Sequence, residues 1–556
     1  MTQAKERSTF MKRQIPMHKR EAIKSLVAAL LISTIAFGPA NSWASHDNND
    51  GAYESTIKKI KHVVVIYQEN WSFDSLYGDF PGANGIDNAS AESLNQVDRL
   101  GKPYSAQLGA NNFIRISSAA PQLSTPPQPI NTNVTPNVID PRFLNGSNNL
   151  IPNTLLPYEA EPFVQSGDKT GDIVHRYWNQ FSQIDGGKND KYIAWSDNPG
   201  LVMSYFDATN LPEGLLAQQY TIADNFFHSA FGGSFLNHQF LIAATAPVFP
   251  NAASVTPGSV ATVDSTGQLA LDANSRPIHD GFITPIGGVT PRGGAFDRNY
   301  AVNTCYSKNL IPTFKHVTDV DLVPSQNDSN PSDQSRPYIP TIGDRLDRKH
   351  VSWKYYSGGW DDAIASTLSN PNPANPATVN NLFQWHHQPF AYYDHYAPFL
   401  ANGTRNPRSA AHLQDETKFL SDLTDETLPA VSFIKPLGPN NEHPGYADLF
   451  TGQKHVADLV SAVQKSKYAD DTLIIITYDE FGGRFDHVAP PMIDQWGPGA
   501  RVPAIFIGPM VKKGYIDHTQ YETTSILGLI EERFELKPLS TRDAQANPLT
   551  NIFVRK

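Results

Sequence analysis

The chain has 556 residues, 40% of them hydrophobic and 18% charged. These are the proportions of a folded globular protein, with room for one large domain or up to about three. With 44 basic against 55 acidic residues the formal charge is −11, so no basic footprint exists to meet nucleic-acid phosphates, and any anionic ligand needs positive charge gathered locally.

At the N-terminus Lys19, Arg20 and Lys24 lead into the apolar stretch SLVAALLISTIAF, and NSWA then ends in a small-x-small pattern at Ala44. Charged, apolar and cleavage regions in that order predict a signal peptide over 1–44 and an exported protein, periplasmic or secreted. The apolar run is short of the ~20 residues that span a bilayer, so no stable membrane span is expected. Residues 1–44 hold seven basic and two acidic side chains, and their removal leaves the rest, a single domain over 45–556, more acidic still. Cys305 is the only cysteine, which rules out an intramolecular disulfide and leaves stability to core packing or a bound metal.

Five short apolar runs then read as buried strands of a parallel sheet: HVVVIY (62–67), VSWKYY (351–356), LPAVSFIKP (428–436), TLIIITY (472–478) and VPAIFIGP (502–509). They alternate with helical patterns at 449–466 and 523–534, the signature of an α/β fold with a mostly parallel sheet flanked by helices. Residues ~103–160 and ~246–345 are rich in Pro, Asn, Ser, Thr and Gly without periodicity. They are expected to be long loop-rich insertions forming a cap or subdomain.

Two of the strands end alike. VVVIYQEN delivers Glu69 and Asn70, and LIIITYDE delivers Asp479 and Glu480. In open α/β sheets ligands collect beyond the carboxyl ends of strands, so neighbouring strands would bring these four side chains into one crevice. Carboxylates so close repel and resist ionisation unless a cation sits among them. Oxygen ligands suit a divalent ion such as Ca²⁺, Mg²⁺ or Mn²⁺, with Zn²⁺ also allowed.

A nucleophile for that centre is offered by FGGSFLNHQF. Gly232 and Gly233 precede Ser234, where a helical pattern begins, and a helix N-terminus attracts an anion. Serine also caps helices with no chemistry attached. The functional reading is a seryl oxygen activated at a metal and aimed at phosphorus. Asn237 and His238 in the first turn are then candidate donors to phosphoryl oxygens. Neither G-x-S-x-G nor a P-loop is present in this segment, which weakens acyl transfer and nucleoside-triphosphate chemistry. His175, His386, His387, His443 and His487 recur in DIVHRYW, FQWHHQPF, NNEHPGYAD and RFDHVAPP, candidates to bind non-bridging oxygens and to protonate a leaving alcohol. At mildly acidic pH the rings of His386, His387 and His443 would be increasingly cationic.

In this order HVVVIYQENWSFDSLYG, DNFF…GGSFLNHQ, NEHPGYAD and ITYDEFGGRFDHVAPP resemble the bacterial phosphoesterase family. That family holds acid phosphatases and the non-haemolytic phospholipases C, within the alkaline-phosphatase-like superfamily. The resemblance covers most of 57–535 and implies an alkaline-phosphatase-like core. It implies that Glu69, Asn70, Ser234, Asp479 and Glu480 surround a metal ion with Ser234 as nucleophile, and that His175, His386, His387 and His443 line the phosphoryl pocket, with His487 structural. Trp71 departs from the family pattern, which has arginine after Glu-Asn. The resemblance implies a phosphoric ester hydrolase, foremost a broad-specificity acid phosphatase, because the phospholipases C of the family usually carry further C-terminal modules. Phospholipase C is the alternative. A sulfatase ranks low, since Ser234 is followed by Phe-Leu-Asn-His rather than x-Pro-x-Arg. A binding protein without turnover would have lost the nucleophile or a ligand, and none is lost. The expected partner is a small phosphate ester or phospholipid, and no nucleic acid; oligomeric state stays open.

Overall fold

A computed structural model describes residues 50–97, 156–161, 164–196, 201–247, 322–323, 338–369, 383–494 and 496–554, with short pieces at 101, 103, 107–108, 114–115, 260–263 and 282–285. The segment expected to be a signal peptide, Cys305 and most of the two expected insertions lie outside the described residues. Residues from Tyr53 onward form one compact unit; of the unit before it only Asp50 to Ala52, the start of the helix Asp50–Ile57, are described.

Eight strands form the central sheet: β1 His62–Gln68, β2 Thr221–Ala223, β3 Trp353–Ser357, β4 Leu413–Asp415, β5 Val431–Lys435, β6 Thr472–Tyr478, β7 Ala504–Ile507 and β8 Tyr515–Asp517. Their spatial order is β4-β3-β5-β1-β6-β7-β2-β8. All run parallel except β7, which is antiparallel to both neighbours. This corrects the expectation of a parallel strand at 502–509. A parallel return needs a crossover, usually helical, and the chain between β6 and β7 runs back through turns without a helix. The three-residue strands β2, β4 and β8 are too short to show a pattern in sequence.

β1, β5 and β6 are the heart of the sheet because their Val, Ile and Phe side chains are covered on both faces. Burying each such side chain is worth about 1.5–3 kcal/mol, and that fixes the register. β1 pairs with β6 from His62↔Thr472 to Gln68↔Tyr478, so both strands end level, with Glu69 and Asp479 next in each chain. On the other side of β1, Ile66 lies against Ile434, which carries Lys435 to the same end.

Three helices position the rest: α1 Ser234–Ala243, α2 Leu449–Gln464 and α3 Thr523–Phe534. α2 is capped by Asp448, whose side chain accepts from the Thr451 N–H, so the last residue of NEHPGYAD is the start signal of a helix. α1 lies wholly in the interior.

Candidate functional site

The carboxyl ends of β1, β5 and β6 meet in a buried centre. Glu69 is held by its own N–H, which donates to the Asn441 carbonyl (3.0 Å). Its Oε1 lies 2.7 Å from Lys435 Nζ and against His387 Nε2; its Oε2 accepts from the Tyr446 hydroxyl (3.4 Å) and lies 3.7 Å from His443 Nε2. Asn70 has φ +70°, a left-handed conformation that asparagine tolerates better than most residues. The turn aims its N–H at Asp479 Oδ1 (3.3 Å) and its amide Nδ2–H at His175 Nε2 (3.3 Å). Asp479 Oδ1 also accepts from the Glu480 N–H (2.8 Å), and Glu480 Oε2 from the Gly482 N–H (2.6 Å). Gly482 is required: with φ +63°, a Cβ there would sit 2.2 Å from the Asn70 carbonyl oxygen.

Charge is unbalanced at this centre. Burial, and then the charge of Glu69, pushes Asp479 up to about 8; burial, and then Asp479, pushes Glu480 well up. Burial works against ionised Glu69 too, yet His387 and Lys435 beside it hold it well below the usual carboxylate range. Lys435 answers one of three carboxylates. Asn70 Oδ1, Glu480 Oε1 and His238 Nε2 are buried without a hydrogen-bond partner, which is costly in an interior unless something else takes their lone pairs. Ligand atoms of Glu69, His238 and Asp479 all lie within 4.8 Å of one another. Oxygen-rich, net negative and with lone pairs to spare, the donor set fits a divalent cation.

Ser234 faces this centre from α1. Gly233 is the N-cap and makes no side-chain cap bond, and Ser234 is the first helical residue. Its hydroxyl is therefore not spent on capping, contrary to the expectation of a serine N-cap. It lies beside Asp479 instead, where it favours the ionised carboxylate. Gly232, at φ +84°, passes so close to the Tyr177 backbone that a Cβ would lie 2.2 Å from its nitrogen. Its N–H donates to Gln180 Oε1 (2.7 Å), and these contacts fix the sharp entry into α1.

Of the expected pocket residues, His175, His238, His386, His387 and His443 converge here. His238 Nδ1–H donates to the Ser234 carbonyl (2.8 Å), and its ring stacks on His387 with centroids 5.3 Å apart. His386 and His387 share the turn Trp385–His387, and one ligand atom from each lies within 4.8 Å of Glu69. His175 and His443 face each other with centroids 5.9 Å apart, beside Asp172. Asn237, expected to donate to phosphoryl oxygens, instead spends its Nδ2–H groups on the carbonyls of Ala230 (3.1 Å), Gly232 (3.3 Å) and Gly233 (3.2 Å). It holds the turn that presents Ser234. The expectation that His386 and His387 become increasingly cationic at mildly acidic pH is corrected as well. Burial first, and neighbouring positive groups after it, pushes His386 well down and His387 down to about 4. His175 and His238 go down for the same leading reason.

His487 sits apart, its Nδ1–H donating to Asp74 (2.7 Å) beside Arg501. Trp71 donates its indole N–H to the Glu442 carbonyl (3.0 Å), and the buried guanidinium of Arg484 stacks 4.0 Å over its ring. Sequence reasoning missed Lys435, Asp172 and Tyr446. Lys435 had a signal: VSFIK is a third buried strand ending in a charged residue, and a buried lysine needs a charged partner.

The profile of the Phosphoesterase family matches residues 60–537. Phospholipase C B of Mycobacterium tuberculosis is 23% identical over 534 residues, 89% of this chain and 77% of that protein. Non-specific phospholipase C6 of Arabidopsis thaliana is 32% identical over 166 residues, 24% of this chain and 32% of that protein; the chain thus aligns with about a third of the plant protein's length. A probable acid phosphatase of Kluyveromyces lactis is 25% identical over 214 residues, 38% of this chain and 45% of that protein.

Proposed function

The chain belongs to the phosphoesterase family, and from that premise we propose that it is an exported, metal-dependent phosphoric ester hydrolase working through a phosphoserine intermediate. The finer reading is a broad-specificity acid phosphatase acting on monoesters. One observation carries the chemistry: Ser234 stands at the first turn of a buried helix, beside Asp479 at a centre of three carboxylates with one lysine among them.

Glu69, Asn70, Asp479, Glu480 and Ser234 would hold the ion, with His238 within reach. Once bound, a divalent cation supplies the positive charge that favours the seryl oxygen as nucleophile and offsets charge on the phosphoryl group. The chain's own residues do the rest. Asp479 orients the Ser234 hydroxyl. The hydroxyl proton passes to Asp479 as the oxygen attacks phosphorus; the Oγ–P bond forms, the ester P–O bond breaks, and the departing alkoxide takes a proton. His443 is the most accessible histidine of the centre, at 8% exposure against 2% or less for the others. It is placed to supply that proton at the rim. The N-terminal end of α1 and the N–H of neutral His386 bind the non-bridging oxygens, while His387 is held by Glu69. Water then cleaves the Oγ–P bond and restores the serine.

The long alignment with Phospholipase C B favours a second reading, cleavage of phospholipid diesters at the same serine. Hydrolysis of p-nitrophenyl phosphate, bis(p-nitrophenyl) phosphate and phosphatidylcholine, with Mn²⁺ supplied, separates the two. Rapid hydrolysis of the monoester, with a phosphoryl group trapped on Ser234 by acid quench and found by mass spectrometry, is expected. Turnover of phosphatidylcholine alone would select the second reading, and turnover of none would refute both.

A further inference from the structure

Glu442 touches the ends of β1 and β6 and the turn after Asn70 without entering the centre. It is fully buried and sits at φ +68°, a backbone conformation glutamate rarely adopts unless its surroundings enforce it. Oε1 accepts from Gln68 Nε2 (2.7 Å) and Oε2 from the Tyr478 hydroxyl (2.7 Å). Its carbonyl takes the Trp71 indole N–H (3.0 Å), and the next residue is His443. Gln68 and Tyr478 immediately precede Glu69 and Asp479, and Trp71 follows Asn70. α2 presses on the same side chain: at Gly452 a Cβ would lie 2.1 Å from Glu442 Cγ.

We propose that Glu442 is a positioning residue, whose carboxylate clamps the ends of β1 and β6 and the turn carrying His443 at one fixed spacing. The proposal rests on the reading of the centre given above. Both Glu442 oxygens take donors, so Glu442 is an acceptor on each side. The second buried carboxyl, Glu213, lies beside Glu442 with its Oε2 3.1 Å from the Tyr478 hydroxyl oxygen. Two carboxyls in contact share one proton, and the donors on Glu442 place it on Glu213. Burial and then Glu442 push Glu213 well up, in keeping with that placement.

The test compares Glu442→Gln with Glu213→Gln. A glutamine at 442 sets an N–H against a donor and breaks one clamp, whereas at 213 it imitates a neutral carboxyl. Mn²⁺ affinity by calorimetry and kcat and KM on p-nitrophenyl phosphate are measured on both variants. Glu442→Gln should weaken Mn²⁺ binding and lower kcat by at least ~10-fold with KM little changed, as for residues that orient metal ligands. Glu213→Gln should leave both within a factor of ~2. Wild-type affinity and kcat in folded Glu442→Gln, or equal losses in the two variants, would overturn the proposal. If Glu442→Gln does not fold, Tyr478→Phe removes one clamp bond, and an unchanged Mn²⁺ affinity there would overturn it equally. Should the wild type hydrolyse none of the esters, the proposed function falls, and Mn²⁺ affinity still decides the role of Glu442.

Discussion

Two of the carboxylate–histidine clusters among the described residues draw their acids from the same two motifs. ENWSFD contributes Glu69 and Asn70 to one and Asp74 to the other; DEFGGRFDH contributes Asp479 and Glu480 to one and Asp486 and His487 to the other. Each gathers three potential ligands within 4.8 Å, yet they are opposites. Around Asp74 the Arg501 guanidinium fills the middle, donating Nη2–H to Asp74 (2.7 Å), Nε–H to Asp486 (2.9 Å) and Nη1–H to the carbonyls of Asn84 and Asp224 (2.7 Å each). Around Glu69 the one lysine or arginine among the described residues is Lys435, at one edge, and buried lone pairs are left over. The difference teaches how to tell structure from chemistry among buried charges: a cluster that closes on its own guanidinium holds the fold, and one that stays open is built for a guest.

Substitutions separate the two clusters. Ser234→Ala at the open centre should cost at least ~100-fold in kcat, as removal of a nucleophile does, while the melting temperature stays at the wild-type value. Activity close to wild type in that variant would remove the nucleophile from the proposal. Arg501→Met at the closed cluster should cost about 3–5 kcal/mol of stability, because Asp74 and Asp486 are left buried without their cation. Its Mn²⁺ affinity should be unchanged as long as it folds. A metal affinity that falls in step with stability would mean the two clusters are one functional unit.

Much of this contrast was legible in the sequence, for a physical reason. Apolar runs such as HVVVIY and TLIIITY must be buried on both faces, which fixes a sheet interior, and chain order then carries Glu69 and Asp479 to the same end. What could not be read is pairing across the sheet edge and within turns. Nothing in VPAIFIGP distinguishes a parallel from an antiparallel strand, since that depends on the route of the chain before it. Asn237 reads as a donor near a nucleophile, and only the three carbonyls around it show that its amide is already engaged. Histidine charge was misjudged for the same kind of reason: His387 in sequence is a ring of ordinary basicity, and in the fold it is a buried one.

A smaller effect is expected from the ligand carboxylates. Glu69→Gln and Asp479→Asn should each reduce Mn²⁺ bound per mole in elemental analysis and weaken its affinity, because each removes a charged oxygen. Lys435→Met sharpens the point: it removes the one resident cation from three carboxylates, so the protein stripped by chelator should melt lower than stripped wild type and recover more on adding Mn²⁺. Equal recovery in the two would show that Lys435 does not balance the centre.

The smallest expected effect, and the one that separates the clusters most cleanly, is their response to pH in the metal-free protein. Asp479 has its folded pKa raised to about 8 by burial and by Glu69, against roughly 3.9 in an unfolded chain. Its proton is bound more tightly in the fold, so its contribution is fully present below about pH 4 and is lost as pH rises towards about 8. Glu480, pushed well up, acts in the same direction. In the closed cluster the two acids move apart: burial opposes ionisation of Asp74, but Arg501 and His487 hold it down, whereas burial carries Asp486 up despite Arg501. Stability from Asp74 is lost as pH falls below about 4, outside the window in which Asp479 acts, and that from Asp486 is lost as pH rises. Asp479→Asn, whose amide cannot ionise, should therefore remove only the Asp479 share of the pH dependence: from about pH 4 to 8 the metal-free variant should lose less melting temperature than wild type does, while Glu480, Asp486 and the buried histidines keep their own shares. A pH dependence in Asp479→Asn equal to that of wild type would mean that the strained charge lies elsewhere, and with it the place where a cation is needed.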